Sequence, residues 1–457
     1  MKAALTGKTI HYRFKEVVWP KLREKGYAII LGPFGWNVHI AKPAVAKNLF
    51  RNSNQFLKPV ISNPGSLTEL FLGEVNIVGS NGEQWKRLRR PANPIFGQSF
   101  QPEAFSPCVL ETLDALDERV NRLQGQPIEV KDLMELMTLD VLGKGIFSHD
   151  FEAVKSLGNS NYHKLYKGIM SFLFNPFFVI VRPLAKLSFG PPERARKNIN
   201  EFNSFILGLI NQRRKDLKNG KFLDSKDLLS TMLRDDPDSP YEPLTDEELV
   251  HNFNIFFLAG HDTTANTLSY ALYHLARNRD VQDKLRNEIY QKMNLDDNQE
   301  KLVVPTSEQL KNMEYLNLVI KETMRVSPAV QQIGRKLAED YTIPEDNIVL
   351  PKGTSVTLSI FSILNDPKIY PNPEKFDPER FLNTKYDIDT YMPFGGGSRM
   401  CVGMNFSLME QKIFLSLLLQ KFDLRITKDN PDYEQLRVSG LGLTRPMDLK
   451  LNFEARL

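Results

Sequence analysis

The sequence is poor in cysteine, with only Cys108 and Cys401 among its 457 residues. Two thiols so far apart in the chain argue against a secreted fold stapled by disulfides. They also exclude a four-cysteine zinc site or an iron–sulfur cluster built from this chain alone. One of the two could still serve as a single reactive thiol or as a metal ligand.

Long hydrophobic runs are missing as well. The most apolar stretch, residues 168–181, is interrupted by Ser171, Asn175 and Pro176, whereas a helix that spans a bilayer needs roughly 18 or more apolar residues. The N-terminal segment contains no apolar core of signal-peptide length. The sequence therefore predicts a chain that is soluble or at most peripheral to a membrane.

A strong charge imbalance is also absent. The 59 basic and 55 acidic residues leave a formal net charge of +4, and apolar residues make up 41% of the chain. This composition excludes intrinsic disorder and shows no signature of nucleic-acid binding. The length alone suggests about three domains, with one large domain as the alternative.

Helical periodicity dominates the middle of the chain, and strand signals lie toward its ends. Residues 22–41 predict two short strands joined by a Gly-Pro-Phe-Gly turn. Thr245 and Glu248 form a capping box that starts a long helix running to about Asn278. The predicted fold class is mainly α with a small β region, and the family resemblance described below implies a single domain, residues 1–457. Its β-rich parts are expected at about 22–60, 330–365 and 422–457, and its helical parts at about 80–330 and 404–421.

The most specific motif is the glycine-rich loop that runs from Phe394 to Gly403 around Cys401. Glycines let the backbone approach a flat ligand closely and adopt positive φ. Cys401 stands where a helix from Met404 is predicted to begin, and the N–H groups of a helix N-terminus lower the pKa of a thiol. A lone thiolate suits an axial haem ligand, with a small buried structural cysteine as the alternative.

A second motif, residues 259–264 (AGHDTT), interrupts the apolar surface of the long helix. Gly260 in a helix interior is about 1 kcal/mol less favourable than alanine, and Asp262 is costly to bury without a partner. Thr263 can hydrogen-bond to a carbonyl one turn earlier. Together these features indicate a distortion beside a ligand, with an acid and a hydroxyl placed for proton delivery. A solvent-facing Asp-Thr pair on an ordinary amphipathic helix is an equal alternative.

A third motif joins two charges on one helix. Glu322 and Arg325 are three positions apart, so they share a helix face and can pair. A lone surface pair of this kind contributes little. Arg380 offers a second arginine from an irregular, proline-rich segment downstream.

The fourth motif is basic. Trp85 and Arg89 are four positions apart and share a face that could clamp a carboxylate. Lys86, Arg87 and Arg90 point in other directions, as expected of a patch for an acidic partner. Taken alone, this motif is better explained as a solvated basic helix end.

Taken in order along the chain, the four motifs resemble those of cytochrome P-450, a family of haem-thiolate monooxygenases. The resemblance covers nearly the whole chain, and the cysteine loop is its most specific part. It implies the cytochrome P-450 fold, with haem b (iron protoporphyrin IX) between the long central helix and the helix after the cysteine loop. It also implies a reaction with dioxygen, in which electrons and protons cleave the O–O bond and a hydroxyl enters the substrate.

The resemblance implies a role for each matching residue. Cys401 would be the axial ligand of the haem iron, and Asp262 with Thr263 the catalytic pair that delivers protons. Glu322, Arg325 and Arg380 would form a structural triad under the haem. The other cofactor-binding residues would be Trp85, Arg89, Arg335 and Arg399 at the propionates, Phe394 beside the sulfur, and Gly397 and Gly403 where the backbone approaches the haem.

The implied substrate is an apolar small molecule such as a fatty acid, a steroid or a terpenoid. Gln331 and Gln332 could hydrogen-bond a polar end of it. The phenylalanines between Phe172 and Phe178 have core packing or membrane contact as alternative roles. By family analogy the pocket would be lined by the loop at 61–84, the stretch Phe172 to Phe178, Phe256, Phe257, Ala259, residues 329–333 including Val330, and Leu441.

The resemblance also bears on partners and location. The chain has no flavin or iron–sulfur segment, so a separate redox partner is expected, namely NADPH–cytochrome P-450 reductase docking near Lys86, Arg87 and Arg90. Members of the family in eukaryotic membranes begin with an anchor, and this chain starts roughly where their first helix would. The expectation is therefore the endoplasmic reticulum, with the anchor either removed or never present, and with peripheral membrane contact. No nucleic-acid partner is expected.

Three other functions stay open from the sequence. A haem-thiolate isomerase or dehydratase would need neither a reductase nor proton delivery. A haem-binding sensor or carrier would not need the acid–hydroxyl pair either, so Asp262 and Thr263 count against both. A structural or interaction protein would bind no haem.

Overall fold

The structure, a computed structural model, describes residues 10–456 apart from 33–34, 61–64, 174, 176, 179–181, 235–238, 297–300, 345 and 441. Its α-helices are α1 (Ile10–Arg13), α2 (Trp19–Lys25), α3 (Pro43–Arg51), α4 (Leu67–Leu72), α5 (Gly82–Arg89), α6 (Ala92–Phe96), α7 (Ser106–Leu123), α8 (Lys131–Leu142), α9 (Asn161–Leu173), α10 (Gly190–Lys218), α11 (Leu228–Leu233), α12 (Asp246–Arg277), α13 (Arg279–Met293), α14 (Ser307–Asn312), α15 (Glu314–Val326), α16 (Ile360–Leu364) and α17 (Met404–Lys421).

The strands are short and form four small sheets. Their bounds are β1 (Tyr27–Gly32), β2 (Gly35–Ile40), β3 (Phe56–Leu57), β4 (Ile128–Glu129), β5 (Gln332–Leu337), β6 (Tyr341–Ile343), β7 (Ile348–Leu350), β8 (Ser355–Ser359), β9 (Phe422–Arg425), β10 (Val438–Gly440), β11 (Thr444–Pro446) and β12 (Lys450–Ala455). The fold is thus mainly α with a small β region, as expected.

The largest sheet joins distant parts of the chain. Its strand order is β1-β2-β8-β5-β3, and only the β2–β8 pair is parallel. A second sheet, β4-β12-β9, holds the C-terminal strands. Strand β4 lies inside residues 80–330, which were expected to be helical, so the β region extends beyond the parts that the sequence predicted. Two residues that pair with Lys450 and Leu451 are too few to give a periodic signal of their own. The expectation of a single domain stays a prediction.

The long helix α12 crosses the centre of the molecule. Its capping box is confirmed, because the Thr245 hydroxyl accepts from the Glu248 N–H at 3.2 Å and the Glu248 carboxylate accepts from the Thr245 N–H at 2.9 Å. From Leu249 onward most of its residues are buried. The described part of the chain contains no helix with both the length and the apolar composition needed to cross a membrane.

Helix α12 packs closely against α8, and Gly260 permits that approach. A Cβ at Gly260 would lie 2.8 Å and 3.0 Å from the two methyl carbons of Leu142. This glycine, expected from the sequence to mark a distortion beside a ligand, is therefore required by the packing of two helices.

We expect Gly260→Ala to destabilise the protein, although alanine is the better helix former. Better propensity contributes about 1 kcal/mol, whereas the clash with Leu142 costs about 1–3 kcal/mol, so the free energy of unfolding should fall by about 1 kcal/mol. Gly208 in the exposed face of α10 is the matched control, because its Cβ would meet nothing within 4 Å. Gly208→Ala should raise the free energy of unfolding by about 0.5–1 kcal/mol. Equal stabilisation by both variants in urea unfolding would contradict the packing explanation.

Candidate active site

The cysteine loop is shaped by hydrogen bonds and by one strained position. The Cys401 N–H donates to the Phe394 carbonyl at 3.0 Å, immediately before α17. Gly397 has φ +65°, and a Cβ there would lie 1.8 Å from the Phe50 carbonyl oxygen. Gly397 is therefore required by the protein itself. Gly403 has φ −84°, and its Cβ would be in ordinary contact with Phe96 at 3.8 Å.

The Cys401 thiol faces internal space. The residue lies deep in the protein, yet its own surface is accessible, which is the geometry of a group at the wall of a cavity. Burial raises the pKa of this thiol and outweighs the Gly403 N–H and the positive charge of Arg89, which lower it. The helix N-terminus alone therefore does not give the low pKa expected from the sequence. A bound metal ion would deprotonate the thiol outright.

Four cations surround this space. Arg89 lies within electrostatic range of Cys401 and of Arg399. Burial and the neighbouring Arg399 lower the pKa of Arg335 to about 10, and burial and Arg89 lower that of Arg399 to about 10. Lys58, which the sequence analysis missed, has its pKa lowered to about 7 by burial and then by Arg335 and Arg399. Like charges gathered in this way call for an anion.

Most of this positive charge has no negative partner. Among the described residues, no carboxylate pairs with Lys58, Arg335 or Arg399, and one terminal nitrogen of Arg399 is buried without a hydrogen bond. The Arg399 guanidinium stacks over the Trp85 ring at 4.0 Å from its centroid. The residues present therefore fit a group with two carboxylates at its edge and a metal at its centre, as haem has.

Asn81 and Arg89 hold this arrangement in place. The Asn81 side chain accepts from the Lys58 N–H at 2.8 Å and donates to the Lys58 carbonyl at 3.0 Å. It also accepts from Arg399 at 3.4 Å. Arg89 donates to Asn93 at 2.7 Å and to the Met400 carbonyl at 3.0 Å, which ties α5 to the cysteine loop. No local pattern in the sequence distinguishes Lys58 or Asn81 from other polar loop residues.

Glu322, Arg325 and Arg380 do lie together. Glu322 and Arg325 are completely buried and form two hydrogen bonds of 2.7 Å and 2.9 Å. Arg380 donates to Glu322 at 3.0 Å, and the Asp377 N–H donates to it at 2.9 Å. The remaining donors of the two arginines bind backbone carbonyls of Leu364, Pro371, Pro373 and their neighbours. The triad therefore holds the irregular segment 371–377, which leads to the cysteine loop.

On α12, the predicted acid and hydroxyl lie on neighbouring positions but make separate contacts. Thr263 donates to the Ala259 carbonyl at 2.8 Å, one turn earlier, as expected. Asp262 accepts from Tyr166 at 3.1 Å and contacts the His261 ring nitrogen Nε2 at 3.1 Å. Burial raises the pKa of the Asp262 carboxyl, but His261 and Tyr166 outweigh burial and leave it lowered. The sequence analysis identified neither partner.

Two of the expected pocket residues are buried among other aromatic rings. Phe257 lies among Phe147, Phe151 and Phe202, with ring centroids 5.1–5.4 Å away. Phe256 stacks on Phe96 at 5.8 Å. Phe256 is seven positions before Thr263 and shares its face of α12, whereas Phe257 lies on another side of the helix. Their role in a pocket stays a prediction. Ala259, by contrast, is exposed one turn before Thr263.

The other expected pocket positions are divided. Val330 bridges to Leu443, and the Gln331 N–H donates to the Gly442 carbonyl at 2.8 Å. The Gln332 side-chain nitrogen is buried and has no hydrogen-bond partner among the described residues. Phe172 stacks on Phe178 at 4.4 Å, whereas Phe177 is largely exposed. Leu441, Phe174 and residues 61–64 of the expected pocket loop lie outside the described residues.

The basic patch on α5 is smaller than expected. Arg87 donates to both oxygens of Glu248, at 2.8 Å and 2.6 Å, and to the carbonyls of Glu242 and Pro243. Its guanidinium is used to fix the start of α12, so its assignment to a docking surface is not supported. Lys86 is exposed and pairs with the exposed Glu83 at 2.6 Å.

Comparison with known proteins identifies relatives along most of the chain. A profile of the family described as Cytochrome P450 matches residues 27–452. Cytochrome P450 3A5 of Homo sapiens is 30% identical over 394 residues, which cover 84% of this chain and 76% of that protein. Probable cytochrome P450 6a13 of Drosophila melanogaster is 30% identical over 356 residues, which cover 76% and 69%.

Solved structures share the fold. The cytochrome P450 CYP102L1 superposes with a TM-score of 0.80 at 22% identity, over 96% of this chain and 97% of that one. The heme domain of cytochrome P450DA superposes with a TM-score of 0.78 at 24% identity, over 96% and 91%.

We expect Glu322→Gln to destabilise the protein by about 3–5 kcal/mol, because it leaves the buried arginines without their carboxylate. The matched control is Glu379→Gln in the neighbouring Lys284–Glu379 pair, which is half exposed. That change should alter the free energy of unfolding by less than about 1 kcal/mol. Urea unfolding followed by circular dichroism measures both. A small effect of Glu322→Gln would show that the triad is not a structural anchor.

Proposed function

The chain belongs to the cytochrome P450 family of haem-thiolate monooxygenases, whose cofactor is haem, and from this premise we propose that it hydroxylates an apolar small molecule. The proposed substrate is a fatty acid, a steroid or a terpenoid, and electrons come from a separate reductase. The observation that carries the proposal is a cluster of the cations Lys58, Arg335 and Arg399, which have no carboxylate partner among the described residues and which Arg89 links to the Cys401 thiol.

In this proposal the Cys401 sulfur would bind the haem iron. Arg335, Arg399 and Lys58 would bind the propionates, with Trp85 supporting Arg399 and Arg89 supporting the cysteine loop. Phe394 would lie beside the sulfur, and Gly397 and Gly403 would let the backbone approach the haem. Bound haem supplies the activation of dioxygen, and thiolate ligation favours O–O cleavage.

The chain's own residues orient the reactants and move protons. The Thr263 hydroxyl donates a hydrogen bond to the Ala259 carbonyl, which fixes the hydroxyl on the exposed face of α12. Asp262 is held by His261 and Tyr166, so it must turn before it can give a proton toward Thr263. Phe96 and Phe256 help exclude water beside this face.

An apolar substrate fits the side chains that face α12. Ala259 is the exposed apolar residue nearest to Thr263. The buried Gln332 nitrogen, which has no partner in the described part of the chain, is the proposed contact for a polar group of the substrate, because an unsatisfied buried donor favours an acceptor. Val330 and Gln331 come immediately before β5, where backbone contacts with Leu443 and Gly442 hold them, and they support that contact.

A membrane surface and a reductase are the proposed partners. The β1–β2 hairpin exposes Ile29, Leu31 and Trp36, and Trp36 is 68% exposed. Phe177 and Phe189 are exposed as well. These side chains suit peripheral contact with a bilayer, which fits a location at the endoplasmic reticulum. Lys86 and Arg90 are the proposed contacts for an acidic reductase.

We expect the purified, dithionite-reduced protein to show a strongly red-shifted Soret band with carbon monoxide, and Cys401→Ser to abolish it. Cys108→Ser is the matched control, because Cys108 is buried in the core and should leave the band unchanged. With a reductase, NADPH should be consumed together with substrate. A histidine-type spectrum would overturn the Cys401 assignment. Peroxide rearrangement without NADPH would favour an isomerase or dehydratase, and bound haem without turnover would favour a sensor.

We expect Lys86→Ala and Arg87→Ala to act differently. Lys86→Ala should raise the reductase concentration needed for half-maximal rate about threefold at low ionic strength, and salt should remove the difference. Arg87→Ala should lower the free energy of unfolding by about 1–2 kcal/mol, because it removes a charged hydrogen-bonded pair. Reductase titrations and urea unfolding separate the two effects. A docking defect without lost stability in Arg87→Ala would restore Arg87 to the patch.

A further inference from the structure

A buried polar cluster, His261–Asp262–Tyr166, lies where α12 meets α9. His261 is 2% exposed, and its ring nitrogen Nδ1 lies 2.7 Å from the Phe257 carbonyl. Its other nitrogen, Nε2, lies 3.1 Å from one oxygen of Asp262, and the Tyr166 hydroxyl donates to the other oxygen at 3.1 Å. Both carboxylate oxygens of Asp262 are therefore bound by partners other than Thr263, whose hydroxyl donates to the Ala259 carbonyl.

The contacts of His261 determine its tautomer. A backbone carbonyl only accepts hydrogen bonds, so Nδ1 must carry a hydrogen. Nε2 is then the nitrogen that gains and loses a proton, and it faces Asp262. A proton on Nε2 can therefore pass directly to the Asp262 carboxylate.

The surrounding charges favour the ionised pair. Burial lowers the pKa of His261, but Asp262, the Phe257 carbonyl and Glu135 outweigh burial and leave it raised. The positive charge of Lys131 on α8 lowers the pKa of Asp262, and Lys131 itself pairs with Glu135 at 2.8 Å. On α9, burial raises the pKa of Tyr166 further from neutrality, so Tyr166 stays a donor. These charges, together with the contact between Nε2 and Asp262, favour a protonated His261 beside an ionised Asp262.

The cluster approaches the surface at His163. This residue and Asp132, Gly158 and Lys167 line a surface pocket of about 370 Å³. His163 lies within electrostatic range of His261 and Asp262. Its Nδ1 is buried and has no partner among the described residues. Burial, then His261 and Lys167, lower its pKa to about 4, while Asp132 and Asp262 oppose them, so it carries a proton only transiently.

We propose that His261 is the proton store for Asp262 and that His163 is its entrance from solvent. The proton on His261 Nε2 passes to Asp262, which leaves a neutral imidazole and a neutral carboxylic acid. Without the ionic attraction, the acid turns toward Thr263 and gives up its proton there. Nε2 then takes the next proton through His163 from the pocket, and Asp262 returns as a carboxylate. His261 and His163 act through Asp262, and the inference rests on the proposed role of Asp262.

The test compares His261→Gln with Asp262→Asn in the holoenzyme with its reductase. Glutamine keeps a hydrogen bond to Asp262 but cannot store a proton, so we expect kcat to fall about tenfold to a hundredfold with KM unchanged. The lost turnover should appear as hydrogen peroxide per NADPH. In His261→Gln the rate should recover as the pH falls, because Asp262 must then take its proton from water. His163→Gln should give a smaller fall, and His149→Gln, a half-buried histidine outside the cluster, should behave as the parent.

A second readout does not depend on turnover. NMR of the holoprotein with ¹⁵N-labelled imidazoles, in the carbon-monoxide form, should show one histidine with Nδ1 always protonated and Nε2 titrating above pH 6.5. Asp262→Asn should move that titration to lower pH, and His261→Gln should remove the signal.

The outcomes separate this inference from the proposed function. Slow turnover in Asp262→Asn with normal turnover and coupling in His261→Gln would overturn the proton store while leaving the role of Asp262 intact. Normal turnover in Asp262→Asn would overturn the role of Asp262 itself. A His261 that is already neutral at pH 6 would overturn the proton store whatever the turnover.

Discussion

One buried carboxylate, that of Glu322, fixes the path of the chain between α15 and the cysteine loop. It accepts hydrogen bonds from Arg325, Arg380 and the Asp377 N–H at full burial. A buried charge is tolerated only when it is paired and its remaining hydrogen-bonding groups are satisfied. The two arginines meet that demand by binding backbone carbonyls of a segment without regular structure. An irregular chain thereby gains a fixed path from α15 to the cysteine loop.

The opposite electrostatic situation exists on the other side of that loop. Burial lowers the pKa of Lys58, Arg335 and Arg399, neighbouring arginines lower it further, and burial also favours the neutral form of the Cys401 thiol. Every charge around Glu322 is paired and hydrogen-bonded, whereas the cations and the thiol near the same loop lack such partners among the described residues. Both imbalances have one remedy, because a metal centre removes the thiol proton and two carboxylates neutralise the cations. The unsatisfied groups are therefore the ones that we propose hold the cofactor.

The sequence predicted helices better than it predicted faces. The ends of α12 and α17 followed from Thr245, Glu248 and the glycines before Met404, because capping is a local interaction. The contacts of Phe257 with Phe147 and Phe202 could not be predicted, because they depend on segments far away in the chain. Contacts made across long separations, such as those of Lys58 with Arg399, leave no periodic trace. Motifs located Cys401 and Glu322 because their spacing itself is the signal.

The glycines of the two central motifs also show the difference between a local sequence pattern and a long-range contact. Gly260 and Gly397 each have a reason within the chain, namely Leu142 and the Phe50 carbonyl. From the sequence alone, all of them pointed equally to a nearby ligand. Gly403 has neither a positive φ nor a close neighbour that would exclude a side chain. Among these glycines, Gly403 is therefore the one whose lack of a side chain a ligand beside the Cys401 loop would explain, because no described atom of the chain excludes a side chain there.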